Sequence, residues 1–321
     1  MKTFKKLLTM IAAAAIALTT AGCGSKPADI NVAVIKGPTG VGMVSLMDSA
    51  AKGKASNNYT FTVASTPTEV VPLIATGEVD IAAVPTNLAA TLYKKTSGNV
   101  RMLAVNTLGV LHILEKGDSV NSVADLKGKT LITSGQGSNP EYILRYVLEK
   151  NGLDPDKDLT IEFVASNDEI TAALVSGKAD LAMIAEPAAT SVLKKAEGFR
   201  RALDISAEWD KVSDSGLMMG CVVVRADFLA ENEDAVKAFL KEYEKSIKAC
   251  DDVDATANLC EEQGIIPAAA VAKEAIPNCN ITFVSGKDMQ KGVTEYFKVL
   301  FDGNPASIGG ELPPDDLFYL G

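Results

Sequence analysis

Residues 59–95 align with residues 159–195, without a gap, at an offset of 100 residues. The first copy opens Tyr59-Thr-Phe-Thr-Val-Ala-Ser-Thr-Pro-Thr-Glu69 and runs to Gly77-Glu-Val-Asp80. The second opens Leu159-Thr-Ile-Glu-Phe-Val-Ala-Ser-Asn-Asp-Glu169 and runs to Gly177-Lys-Ala-Asp180. Val84 pairs with Ile184, and Lys94-Lys95 with Lys194-Lys195. Each copy reads as strand, helix, strand. Two copies of a βαβ unit predict an α/β chain with two similar lobes, each built on a parallel sheet. A groove between such lobes is a natural place to hold a small molecule.

Local signals agree with that reading. Thr66-Pro67-Thr68-Glu69 is a helix start: a capping threonine, proline at the first helical position and glutamate three beyond the cap. Ser166-Asn167-Asp168-Glu169 repeats it in the second copy. Ile30–Ile35, Phe61–Ala64, Val79–Val84, Thr130–Thr133 and Ala179–Ile184 read as strands. Leu108–Glu115 and Met218–Arg225 are continuous apolar runs, expected as two strands crossing between the lobes and forming a hinge. Asp227–Cys250 reads as helix, with Val236, Phe239, Leu240, Tyr243 and Ile247 on one face. The tail from Asp251 reads as mixed helix and loop.

Residues 1–22 have the form of an export signal: Lys2, Lys5 and Lys6, then a twelve-residue apolar run from Leu7 to Leu18. That run is too short to span a bilayer, which takes about 20 helical residues. Ala21-Gly22-Cys23 resembles the lipobox of bacterial lipoproteins, with Thr20 in place of the usual leucine. The expectation is lipidation of Cys23, a flexible tether over 23–29, and an extracytoplasmic protein held at the cell membrane. Loss of three lysines takes the formal charge from −10 to −13, which disfavours nucleic acid as a partner. Of the remaining cysteines, Cys221 is expected as a buried thiol. One bridge among Cys250, Cys260 and Cys279 is allowed, with Cys260 and Cys279 the candidate pair. No Cys-x-x-Cys pair or His/Cys cluster is present, so neither a metal nor a cofactor is expected.

The signal with its cysteine, the paired Gly-x-x-Asp segments (Gly77–Asp80 and Gly177–Asp180), the Glu186-Pro187 loop and the segment Val224–Leu229 resemble the solute-binding proteins of ABC importers. The likeness is to the group that includes nitrate-, alkanesulfonate- and taurine-binding proteins and binders of thiamine pyrimidine precursors. It implies a type II periplasmic binding protein fold: two Rossmann-like lobes joined by two crossing strands, lobe I over 30–111 and 220–321, lobe II over 112–219. It also implies a monomer that traps a solute between its lobes and hands it to a membrane permease. Sulfonate binders of the group carry aromatics after the first strand and a tryptophan near the position of Glu186. Here those places hold Gly37-Pro38-Thr39-Gly40 and Ala185-Glu186, which weighs against a sulfonate.

Ligands of open α/β sheets sit beyond the carboxyl ends of the strands. The loops at those places give the candidate binding residues: Gly37, Pro38, Thr39, Gly40, Ser65, Thr86, Asn87, Ser134, Gly135, Gln136, Gly137, Ser138, Asn167 and Glu186. Small hydroxyl and glycine side chains let backbone N–H groups approach a ligand. Each also suits a turn or cap, and Glu186 suits the start of the helix that follows. The single histidine, His112, lies in an apolar run and is expected as a packed structural residue. With one histidine and no metal cluster, an enzyme on the same architecture is disfavoured. A lipoprotein that senses a small ligand is the other alternative. The solute itself is expected to be small and polar, anionic or heteroaromatic.

Overall fold

The computed structural model describes residues 27–321; the signal, most of the tether and Cys23 lie outside the described residues. The chain begins with β1 (Asp29–Ile35), α1 (Pro38–Val41), α2 (Val44–Ala51), β2 (Asn58–Ala64), α3 (Pro67–Thr76), β3 (Ile81–Pro85), α4 (Thr86–Lys95) and β4 (Val100–Thr107). It continues through β5 (Leu111–Lys116), β6 (Thr130–Ser134), α5 (Asn139–Lys150), β7 (Thr160–Val164), α6 (Asn167–Val175), β8 (Leu181–Ala185), α7 (Ala188–Lys195), β9 (Phe199–Asp204) and α8 (Ile205–Asp210). It closes with β10 (Gly220–Arg225), α9 (Ala226–Glu231), α10 (Glu233–Lys248), α11 (Val253–Glu262), α12 (Ala269–Ala275), β11 (Ile281–Ser285) and α13 (Gly286–Gly303).

Two sheets result, ordered β11-β4-β10-β3-β1-β2 and β7-β6-β8-β5-β9. The repeat is visible in both. β2-β1-β3 is a parallel triplet, as is β7-β6-β8, and β3 and β8 begin at equivalent points of the two copies, Ile81 and Leu181. Each triplet is then extended by an antiparallel strand that has just arrived from the other sheet, β10 beside β3 and β5 beside β8. β3 and β8 show four consecutive buried residues, because helices cover both faces of each sheet.

The Gly-x-x-Asp segments close the helices of the repeat. Gly77 and Gly177 have positive φ (80° and 72°), a conformation in which a Cβ would be strained. Asp80 then accepts the Asn31 N–H at 2.9 Å and lies 3.5 Å from Arg225, which ties β1, β3 and β10 together.

Several local expectations are refined. The run Leu108–Glu115 divides: residues 108–110 form an extended link, and β5 starts at Leu111 in the second sheet. Residues 216–219 make the return link. The two links lie side by side, with the Met219 N–H donating to Thr107 O at 3.1 Å. Asp227–Cys250 is two helices that meet at Asn232, and Val236, Phe239, Tyr243 and Ile247 are buried as one face of α10. The tail holds a strand, β11, and the eighteen-residue helix α13, whose Met289, Val293, Tyr296, Phe297 and Leu300 enter the core.

The candidate disulfide is corrected. Cys221, Cys250, Cys260 and Cys279 are all free and buried. Cys250 and Cys260 pack in the apolar core of the first lobe as small hydrophobic side chains. Burial pushes the thiols of Cys221 and Cys260 up to about 12 and that of Cys250 up to about 11.

Candidate functional site

A cleft of about 350 Å³ opens at the carboxyl ends of the parallel strands. One wall comes from the loops and helix starts after β1, β2 and β3: Pro38, Thr39, Pro67, Pro85, Asn87 and Leu88. The facing wall is the start of α5 after β6, with Ser138, Asn139 and Pro140. Thr107 at the end of β4, with Val110 and Met219 from the two links between sheets, forms the floor. Asn139 Nδ2 donates to Asn87 Oδ1 at 3.0 Å, and Asn87 Nδ2 donates to Ser307 O at 3.2 Å. This chain of amides is a direct bond between the α4 side and the α5 side of the cleft.

Two larger hollows lack this setting. One of about 440 Å³ lies at the opposite ends of β6 and β8, within a single sheet, and mixes Lys116, Lys129 and Lys178 with Glu115, Glu162 and Asp180. The other, of about 520 Å³, runs between the sides of α5 and α13, where Arg145 is already bound by Glu141 and Asp156.

Of the fourteen sequence candidates, Pro38, Thr39, Asn87 and Ser138 line the cleft. Gly37 stands just before them with φ 95°, its N–H given to Ile265 O. Gly40 is packed beneath: a Cβ there would meet Ile35 O at 2.6 Å. Thr86 is fully buried, with its N–H on Met219 O at 3.0 Å. Ser65 donates its N–H to Glu69 Oε2, and Ser134 donates its hydroxyl to Asn167 Oδ1 at 3.0 Å. Gly135 and Gly137 have positive φ, and the Gly137 N–H is held by Glu141 at 2.7 Å, while Gln136 is exposed. None of these nine candidates, Asn167 and Gly137 included, is part of the lining.

Glu186 is also outside the lining. Its side chain is fully buried and accepts two bonds from Arg201 (2.5 and 3.1 Å) and the Thr190 N–H of α7 (3.1 Å). The carboxylate therefore serves the helix start and an ion pair, which leaves it no free face toward the cleft. His112 lies 3.8 Å from it, and burial drives the imidazole below its ordinary value, against the pull of Glu186 and Asp204. The two capping boxes differ as well. Ser166 accepts the Glu169 N–H at 3.3 Å, whereas Thr66 turns its hydroxyl to the Glu69 carboxylate at 2.9 Å. The charge-assisted bond is the stronger one.

The remaining lining residues escaped sequence reasoning in two ways. Pro67, Pro85, Leu88, Asn139 and Pro140 stand in or beside the candidate loops, where no local signal separates a cleft-facing residue from its neighbours. Thr107, Val110 and Met219 come to the floor only because both links pass under the cleft.

A family model described as ABC transporter, phosphonate, periplasmic substrate-binding protein matches residues 56–272, more than half the chain. The chain belongs to this family. Similar solved structures share the fold. An ABC transporter protein of Parabacteroides distasonis is 22% identical with a TM-score of 0.77, over 92% of this chain and 99% of that one. The periplasmic aliphatic sulphonate binding protein SsuA of Escherichia coli is 15% identical with a TM-score of 0.70, over 90% and 92%. The nitrate-binding protein NrtA of Synechocystis PCC 6803 is 13% identical with a TM-score of 0.60, over 91% and 84%. Among curated relatives, a Brucella abortus protein whose name gives it provisionally as a binding protein is 26% identical over 155 residues, 48% of this chain. That match spans about half the relative's length (46%). The two-lobed fold and the family membership expected from sequence thus both hold. Among the described residues no helix is long and apolar enough to cross a membrane.

Proposed function

We propose that this ABC transporter substrate-binding protein captures a small polar solute, anionic or heteroaromatic, between its two lobes and presents the closed form to a membrane permease. The observation that carries this reading is the cleft itself, whose walls come from both sheets and whose floor is the pair of links between them. A solute that touches both walls biases closure; one that touches a single wall leaves the equilibrium unchanged. Lobe I comprises residues 30–111 and 220–321, lobe II residues 112–219. The protein acts as a monomer, tethered through a lipid on Cys23.

The test is to block each wall in turn. Thr39→Trp and, separately, Ser138→Trp fill the cleft from opposite sides and each abolishes solute binding in calorimetry while leaving the fold intact by circular dichroism. Full affinity in either variant contradicts a shared site. Clickable fatty acid labels the wild type and not Cys23→Ser; an unlabelled wild type contradicts the anchor.

A further inference from the structure

We propose that α5 and the segment just after α13 form a clasp that holds lobe II against lobe I with no solute bound, about an apolar fulcrum beneath it. This rests on the two-lobe reading and goes beyond it. Closure is then a property of the chain, and a solute acts on an equilibrium that the clasp has already set.

The fulcrum is made of rings. The Trp209 ring of α8 has its centre 4.7 Å from that of Tyr146 in α5 and 5.9 Å from that of Tyr296 in α13. Trp209 and Tyr296 are fully buried, in one apolar core that also holds Leu111 and Leu203 of the second sheet and Val105 and Val223 of the first. α13 follows β11 of the first sheet, yet it packs along α5. Pulling these rings apart exposes apolar surface on both lobes, so the lobes turn about this contact rather than part there.

One and two helical turns nearer the cleft, the contact face of α5 becomes polar at Tyr142 and Asn139. Asn304 Nδ2 donates to the Tyr142 hydroxyl at 2.6 Å, and Asn139 Nδ2 donates to Asn87 Oδ1 at 3.0 Å. Both bonds cross from lobe to lobe. Their lobe I partners are fixed in place: Asn87 donates to Ser307 O at 3.2 Å, and Asn304 Oδ1 accepts the Ala306 N–H at 3.0 Å. Away from the links, Lys194 of α7 and Glu274 of α12 also join the lobes, as an exposed ion pair of little worth. The clasp is weak by construction. Each of its bonds adds modest stability, because water replaces it when the lobes open. Closure also leaves Asn139 Oδ1 buried without a partner, a penalty of the same size as the gain. The groove of about 520 Å³ between α5 and α13 is lined by Tyr142 and Asn304 and gives water a route to their bond. A solute must enter an open cleft, so the clasp sets the share of protein able to receive it.

The experiment reads lobe separation with no solute present. The mature protein, carrying Cys23→Ser, is unfolded and refolded to strip any bound solute. It is spin-labelled at Thr68→Cys and Asp168→Cys, exposed and equivalent positions at the starts of α3 and α6. The native Cys221, Cys250, Cys260 and Cys279 are buried. Pulsed electron spin resonance gives the distance distribution, expected as a major short distance and a minor long one. Tyr142→Phe, which removes only the hydroxyl, and Asn87→Ala each raise the long-to-short ratio by about 2- to 12-fold, the range for one lost bond. Asn139→Ala raises it less than Asn87→Ala, because the stranded oxygen goes with the bond; an equal or larger rise overturns the role of that oxygen. Emission from Trp209, the only tryptophan in the chain, stays unshifted in every variant. A protein found wholly at the long distance overturns the clasp, as does a distribution that neither Tyr142→Phe nor Asn87→Ala alters. A red shift of Trp209 in either variant overturns the fulcrum. None of these results bears on the shared cleft, which is decided by Thr39→Trp and Ser138→Trp.

Discussion

Removal of Arg201 tests the energetics of the buried centre beneath α7. Glu186 has no exposed side-chain surface, while Arg201 retains 28%. Arg201→Met leaves the carboxylate with the Thr190 N–H and a histidine 3.8 Å away. An uncompensated buried charge costs about 3–5 kcal/mol, here at the lower end because water reaches the vacated guanidinium position. Glu186→Gln costs less, about 1.5–3 kcal/mol, since the partly exposed Arg201 turns to solvent. The double variant then falls short of the sum of the two by at least about 1 kcal/mol, as coupled partners do. Equilibrium urea unfolding measures all three. An independent readout exists, because His112 is the only histidine in the chain and gives one imidazole titration by NMR. Arg201 holds that imidazole down and Glu186 pulls it up, so Arg201→Met raises its pKa and Glu186→Gln lowers it. A cost below about 1 kcal/mol for Arg201→Met, typical of exposed pairs, together with an unmoved His112 titration, refutes the buried-centre argument.

Stability should also follow His112 in wild type. Its folded pKa lies below the ordinary 6.5, chiefly through burial, so the unfolded chain binds more protons in the window below 6.5. Stability is therefore full above that value and is lost as pH falls through the window; melting curves at pH 8 and pH 5.5 should show the loss, and His112→Gln should flatten it. The free thiols predict that a reductant leaves the melting temperature unchanged and that native-state alkylation is slow; a drop in melting temperature on reduction contradicts free cysteines. Gly220→Ala should destabilise by about 1–3 kcal/mol, because the new Cβ falls 2.6 Å from Asn106 Oδ1 and 2.7 Å from Thr39 Cγ2; an unchanged urea midpoint argues against that packing. Trp209→Ala should cost about 3–5 kcal/mol, since the ring is fully buried between Tyr146 and Tyr296; a smaller loss means that the site collapses around the gap.

The repeat, its strands, its helix starts and the family were all readable from the chain, for one reason. Periodicity, proline, glycine and capping residues act within a few neighbours, and the second copy checks the first. β3 and β8 begin at matching points of the two copies, Ile81 and Leu181. The tail was less readable because β11 is a short edge strand that exists through pairing with β4. The cleft was legible only as a set of loops. Which members face the space depends on how two sheets close over two links, and that geometry puts Val110, Met219 and Asn139 in the cleft while turning Glu186 inward to Arg201. A side chain's local role is written in its neighbours along the chain. Its partner across a cleft is set by packing between segments that lie far apart in sequence, and here that packing alone decided the chemistry the site displays.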